Sequence, residues 1–186
     1  MIDEIDGYYL LSLGFPNKTI VNPEKTINQL RSTSSQVQVQ LLNAGLVAGP
    51  EHLRFAARNA LHSFKGKSPK SKSLAVEYLL YVSCQRQISK AIRLLGVEAA
   101  QDGVVLVALS QSRDALMNLE SVSKSMLGDT DDGVIEVNSK QKLARIREAF
   151  GVSKKEMDAS KFEGETEVQV LKRLIVERSA LLDIRY

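Results

Sequence analysis

The chain has 186 residues, 44% of them apolar and 25% charged, with one cysteine and a formal charge of +3. That length suits one domain burying roughly 70% of its unfolded surface, and the balance excludes a disordered or collagen-like chain. The apolar runs fall far short of the ~20 residues that span a bilayer, Asp3, Glu4 and Asp6 oppose a signal peptide, and Cys84 has no internal disulfide partner, so a cytoplasmic protein is expected.

Tyr8 to Phe15, rich in aromatic and branched residues and closed by Gly14 and Pro16, predicts a strand. Asn22-Pro23-Glu24 reads as an N-cap with proline at the first helical position, opening a short helix that ends near Ser32. Gln36 to Leu42 alternates Val37, Val39 and Leu41 with glutamines, the pattern of a strand with one buried and one wet face. From Pro50, Leu53, Ala56, Ala57, Ala60, Leu61 and Phe64 keep helical spacing on one side, and Arg54, Arg58, His62 and Lys65 line up on the other. Residues 65–72 form a basic loop interrupted by Gly66 and Pro69.

Ser73 is placed to cap a helix through Tyr81, and a second helix runs from about Gln85 to Leu95 with Gly96 as its stop; one bent helix is the alternative. Gly103 to Ser110 is an unbroken apolar run suited to a strand covered on both faces, followed by a helix from Arg113 to Leu127. An acidic turn over 128–133 leads to a possible short strand Val134–Val137 and a helix from Ser139 to Phe150. Residues 153–165 suggest a helical turn at most, before a last helix from about Glu165 to Asp183. The expected architecture is a single α/β domain over 1–186, a mixed sheet of three to four strands covered by about seven helices.

Charge is unevenly spread. Between His52 and Val97 nine basic residues, Arg54, Arg58, Lys65, Lys67, Lys70, Lys72, Arg86, Lys90 and Arg93, face the single acid Glu77, a charge of +8 that leaves −5 elsewhere. Such concentration attracts polyanions far more than a diffuse +3, and nucleic acid is the first candidate partner. No catalytic set accompanies it. His52 and His62 lack orienting partners and read as solvated surface groups, Cys84 reads as a buried thiol, and Glu77 as paired with a neighbouring Lys or Arg. Gly66-Lys67-Ser68 lacks the first glycine and the strand of a P-loop, and the acidic turn misplaces the glycine and glutamate of a calcium loop. No catalytic residue, metal or cofactor is expected.

A resemblance sharpens this reading. Asn43-Ala44, Glu51-His52-Leu53, Phe55-Ala56, Ala60, Lys72-Ser73-Leu74, Glu77-Tyr78-Leu79-Leu80-Tyr81, Gln87-Ile88, Ala91-Ile92 and Gly96 together resemble the kinase-binding accessory subunit of the KEOPS complex, archaeal branch (the Cgi121 family). That complex makes threonylcarbamoyladenosine on transfer RNA, and the likeness covers Leu41 to about Val107. It implies a non-catalytic subunit that docks on the kinase-like ATPase of KEOPS and helps hold the acceptor end of transfer RNA. Arg54, Arg58, Lys65, Lys67, Lys70, Lys72 and Arg86 are the expected phosphate contacts, with Asn43 and Gln85 as candidates for bases or riboses. Phe55 and Phe64 are expected to turn inward. In the last helix, Val168, Val170, Leu171, Leu174, Ile175, Leu181 and Leu182 span an arc of roughly 160°, wider than one core stripe. Leu171, Leu174 and Ile175, with Arg178 beside them, are the expected kinase-docking surface; a helix wedged between two internal layers is the alternative. Two other functional readings stay open, a small enzyme acting on a phosphorylated substrate held by Lys65, Lys67 and Lys72, and a generic RNA-binding module.

Overall fold

The computed structural model describes residues 1–66, 69–97 and 103–184. Its sheet begins with a hairpin that the sequence reading did not include: Ile2–Ile5 (β1) turns into Tyr8–Pro16 (β2) through Asp6-Gly7. Both turn residues have positive φ, 48° and 78°, as a type I′ turn requires of its central pair. Two further strands, Gln38–Asn43 (β3) and Gly103–Ser110 (β4), complete the order β1-β2-β4-β3. All three pairings are antiparallel, so the sheet has the expected strand number without the parallel pair of a mixed sheet. β4 is interior, and every residue along it is buried.

Alternation along the strands sends side chains into two cores, one on each face. Leu10, Leu42, Val105, Val107 and Leu109 point to one side, where Pro50–Lys65 (α2), Leu74–Val82 (α3), Lys140–Ala149 (α6) and Glu167–Ala180 (α8) cover them. Leu11, Leu13, Val39, Leu41, Val104 and Leu106 point to the other, under Pro23–Arg31 (α1) and Arg113–Leu127 (α5). Burial of each such side chain contributes about 1.5–3 kcal/mol. With both faces covered, the wet face expected for β3 does not exist. Gln40 is buried, and its amide donates to the Ala75 carbonyl at 3.0 Å.

The helix starts follow local chemistry. Asn22, Ser112, Ser139, Ser153 and Thr166 each accept a backbone N–H with the side chain, and Thr166 forms a full capping box with Gln169. Ser73 occupies the N-cap of α3 without a side-chain cap bond. Cys84, at φ 53°, ends the run after α3, so the 73–96 segment is two helices, the second being Ile88–Leu95 (α4). Lys154–Ser160 (α7) is a two-turn helix where at most one turn was expected, giving eight α-helices among the described residues.

The strand expected over 134–137 is absent. Instead a 3-10 turn, Asp132–Val134, docks on β2: Gly14 N–H donates to the Asp132 carboxylate at 3.3 Å, and Asp131 N–H to the Gly14 carbonyl at 2.9 Å. A Cβ on Gly14 would lie 2.5 Å from the Asp131 carbonyl oxygen, which is why this strand position is glycine. The acidic residues, exposed to solvent, therefore serve a turn that docks on the sheet.

Candidate nucleic-acid interface

α2 separates its faces as its spacing dictates. His52, Leu53, Ala56, Ala57, Ala60 and Leu61 are buried, while Arg54, Arg58, His62 and Lys65 are exposed along the opposite side. α3 runs antiparallel to it, because the start of α2 meets the end of α3 through His52 and Val82, and the end of α2 meets the start of α3 through Ser63 and Glu77.

At that second junction the basic loop is anchored, not free. Glu77 is completely buried; its Oε1 accepts the Ser63 hydroxyl at 2.7 Å and the Lys70 backbone N–H at 3.2 Å, and its Oε2 has no hydrogen-bond partner among the described residues. Among the described residues Glu77 meets a hydroxyl and an amide, not the Lys or Arg side chain expected of it. One helical turn on, the Tyr81 hydroxyl accepts from the Lys70 ammonium at 2.8 Å, with the ammonium 4.8 Å from the ring centre. Lys70 thus fixes the loop to α3, whereas Lys72 is exposed and lines a cleft of about 570 Å³ together with Tyr8, Gln36, Gln38, Phe64 and Gln111. Lys67 lies outside the described residues.

Arg54, Arg58 and Lys65 therefore lie along α2 with Lys72 on the cleft beside its end, and other expected contacts lie apart from the loop. Asn43 ends β3, roughly 16 Å along the strand from Gln38 in the cleft, and its side chain accepts the Gly45 N–H at 2.9 Å. Gln85 and Arg86 follow the far end of α3, about 13 Å along the helix from Lys72. Phe55, expected inside, is 43% exposed beside Arg54, while Phe64 is half-buried against the core. The exposed ring was legible in principle, since position 55 falls between the two stripes of α2.

His52 corrects the surface reading. Its ring is buried, Nδ1 accepts the Ala48 N–H at 3.2 Å, and Nε2 donates to the Val82 carbonyl at 2.7 Å. Burial lowers its pKa to about 4, which keeps the imidazole neutral and both nitrogens engaged. His62 is exposed as expected, and Cys84 is half-buried with its sulfur 3.6 Å from the Ile175 carbonyl. Among the described residues no cluster of three or more His, Cys, Asp or Glu is placed to hold a metal, and no helix is long and apolar enough to cross a membrane.

Most of the apolar arc of the last helix faces inward, with Leu181 at its end exposed. Leu171, Leu174 and Ile175 are buried in the core against α2 and α3, so they present no outer docking face. Arg178 is committed internally, with both Glu156 carboxylate oxygens at 2.7 and 2.8 Å and a bond to the Phe150 carbonyl. The arc exceeds one stripe because α8 packs against elements on more than one side, the wedged arrangement.

Fold and surface together define an α/β domain that displays cations along one helix pair and gathers no metal-holding cluster among the described residues. The sequence profile of the family described as "Kinase binding protein CGI-121" matches residues 18–183, and the chain belongs to this family. It is also 34% identical over 117 residues to the "Regulatory protein Cgi121" of Methanocaldococcus jannaschii, an overlap of 62% of this chain and 72% of that protein. β1 and β2 precede the matched span.

Proposed function

We propose that this protein is a non-catalytic regulatory subunit that binds the kinase-like ATPase of the KEOPS complex and recruits transfer RNA through its acceptor end. The kinase-binding half of this reading is supported by the description of the family and by the name of the archaeal relative. The RNA half is supported chiefly by one observation: Arg54, Arg58 and Lys65 are exposed along α2, and Lys72 is exposed on the cleft beside its end. Such a surface neutralises phosphates, and with few exposed rings to stack bases, backbone charge dominates.

The test compares intact transfer RNA with RNA lacking its terminal nucleotides, over a range of salt. Truncation should weaken binding, and Arg54, Arg58, Lys65 and Lys72 changed together to Glu should abolish it, with single removals each flattening the log–log salt slope by about 0.7. Equal binding of intact and truncated RNA would refute the acceptor-end assignment. Co-purification with the kinase-like ATPase tests the other half, and its failure would leave only a generic RNA-binding module.

A further inference from the structure

The acidic turn of the β1–β2 hairpin lies against the basic ridge of α2. The Asp6 carboxylate is 3.7 Å from Arg58 Nε, and the Asp6 carbonyl accepts from the Lys65 ammonium at 2.8 Å. That ammonium also sits 4.9 Å from the Tyr8 ring centre, and Asp3 shares a recess with Arg54 and Phe55. Two ridge cations are thus engaged by the turn, and a third has an acid in its recess.

These contacts contribute little to stability. The Arg58 and Asp6 side chains are 63% and 49% exposed, a setting in which an ion pair is worth at most about 1 kcal/mol. A polyanion lying along the whole ridge must displace or face Asp6. An internal acid that must be displaced lowers the affinity of the ridge for such a ligand.

We propose that Asp6 is an internal competitor for Arg58 that holds down the affinity of the ridge for RNA. This rests on the RNA-binding reading above. The competitor lies outside the span matched by the family, which begins at residue 18.

Asp6→Asn tests it cleanly, because Asn-Gly suits a type I′ turn as well as Asp-Gly does and only the charge is lost. Binding of wild type, Asp6→Asn and Glu24→Gln is measured with transfer RNA and with an unstructured homopolymer RNA. Glu24, exposed on α1 across the sheet, controls for net charge. Asp6→Asn should raise the affinity for both RNAs roughly threefold to tenfold and steepen both salt slopes by about 0.7. Glu24→Gln should alter neither. Unchanged binding of transfer RNA, or the same gain in Glu24→Gln, would overturn the proposal. A wild type that binds no RNA would overturn the RNA-binding reading and this inference with it, whereas one that binds both RNAs but ignores Asp6 would overturn the inference alone.

Discussion

The Nε2–H of His52 donates to the carbonyl oxygen of Val82 at 2.7 Å, tying the first turn of α2 to the last residue of α3. The buried ring also stands edge-on to Phe150 at 5.6 Å. A neutral histidine thus sets the alignment of the helix pair whose outer side carries the cations.

That burial makes stability depend on pH. The folded pKa is lowered to about 4 from 6.5, so between these values the unfolded chain holds more protons. Stability should fall as pH drops from about 6.5 to about 4, by on the order of 3 kcal/mol, with no further loss from this group below that. Urea unfolding at a series of pH values reads this directly. His52→Ala should lower stability by about 2–4 kcal/mol at pH 7 and flatten the dependence in that window.

Lys142 acts with the same sign in an alkaline window. Its ammonium is buried and donates to the Val134 carbonyl at 2.6 Å; burial, with Arg145 and Lys172 adding to it against Glu136, lowers its pKa from 10.5 to about 8. The unfolded chain then holds more protons between about 8 and 10.5, so this group makes stability rise with pH across that interval, by on the order of 3 kcal/mol. In Lys142→Met that contribution should disappear.

Glu77 holds the basic loop through Ser63 and the Lys70 amide. Glu77→Ala should free the loop at a cost of about 1.5 kcal/mol, read as roughly tenfold faster tryptic cleavage after Lys70 and Lys72. Glu77→Gln keeps an acceptor oxygen at the same place and should cleave at close to the wild-type rate. Equal rates for all three proteins would show that the loop is held by other contacts.

Leu174, 6% exposed in the core, should behave as a packing residue. Leu174→Ala should cost about 2–5 kcal/mol, and Leu174→Glu should unfold the protein at ordinary temperature. A folded Leu174→Glu variant that loses kinase binding alone would restore the helix face to the role first expected of it.

Much of the fold was legible because its causes are local. Asn22-Pro23 fixed the start of α1, the apolar spacing from Leu53 fixed the inner face of α2, and the Gly103–Ser110 run announced the interior strand. β1 left a local signal in Asp6-Gly7, but its two acids in four residues mask the strand pattern. Val134 to Val137 looked like a strand because its branched residues suit one; docking of the acidic turn on Gly14, more than a hundred residues away, decided otherwise.

The sequence by itself determined where the positive charge lies and which family the residues resemble, since charge and motif are properties of the chain. Only the tertiary structure decided which cations stay outside, because that depends on neighbours distant along the chain: Lys70 is drawn to Tyr81, Arg58 and Lys65 meet Asp6, and Asn43 is carried to the other end of β3. The same holds for His52 and for the arc of α8. A helical wheel gives the width of an apolar stripe, but the elements packed around it determine whether that stripe is core or surface.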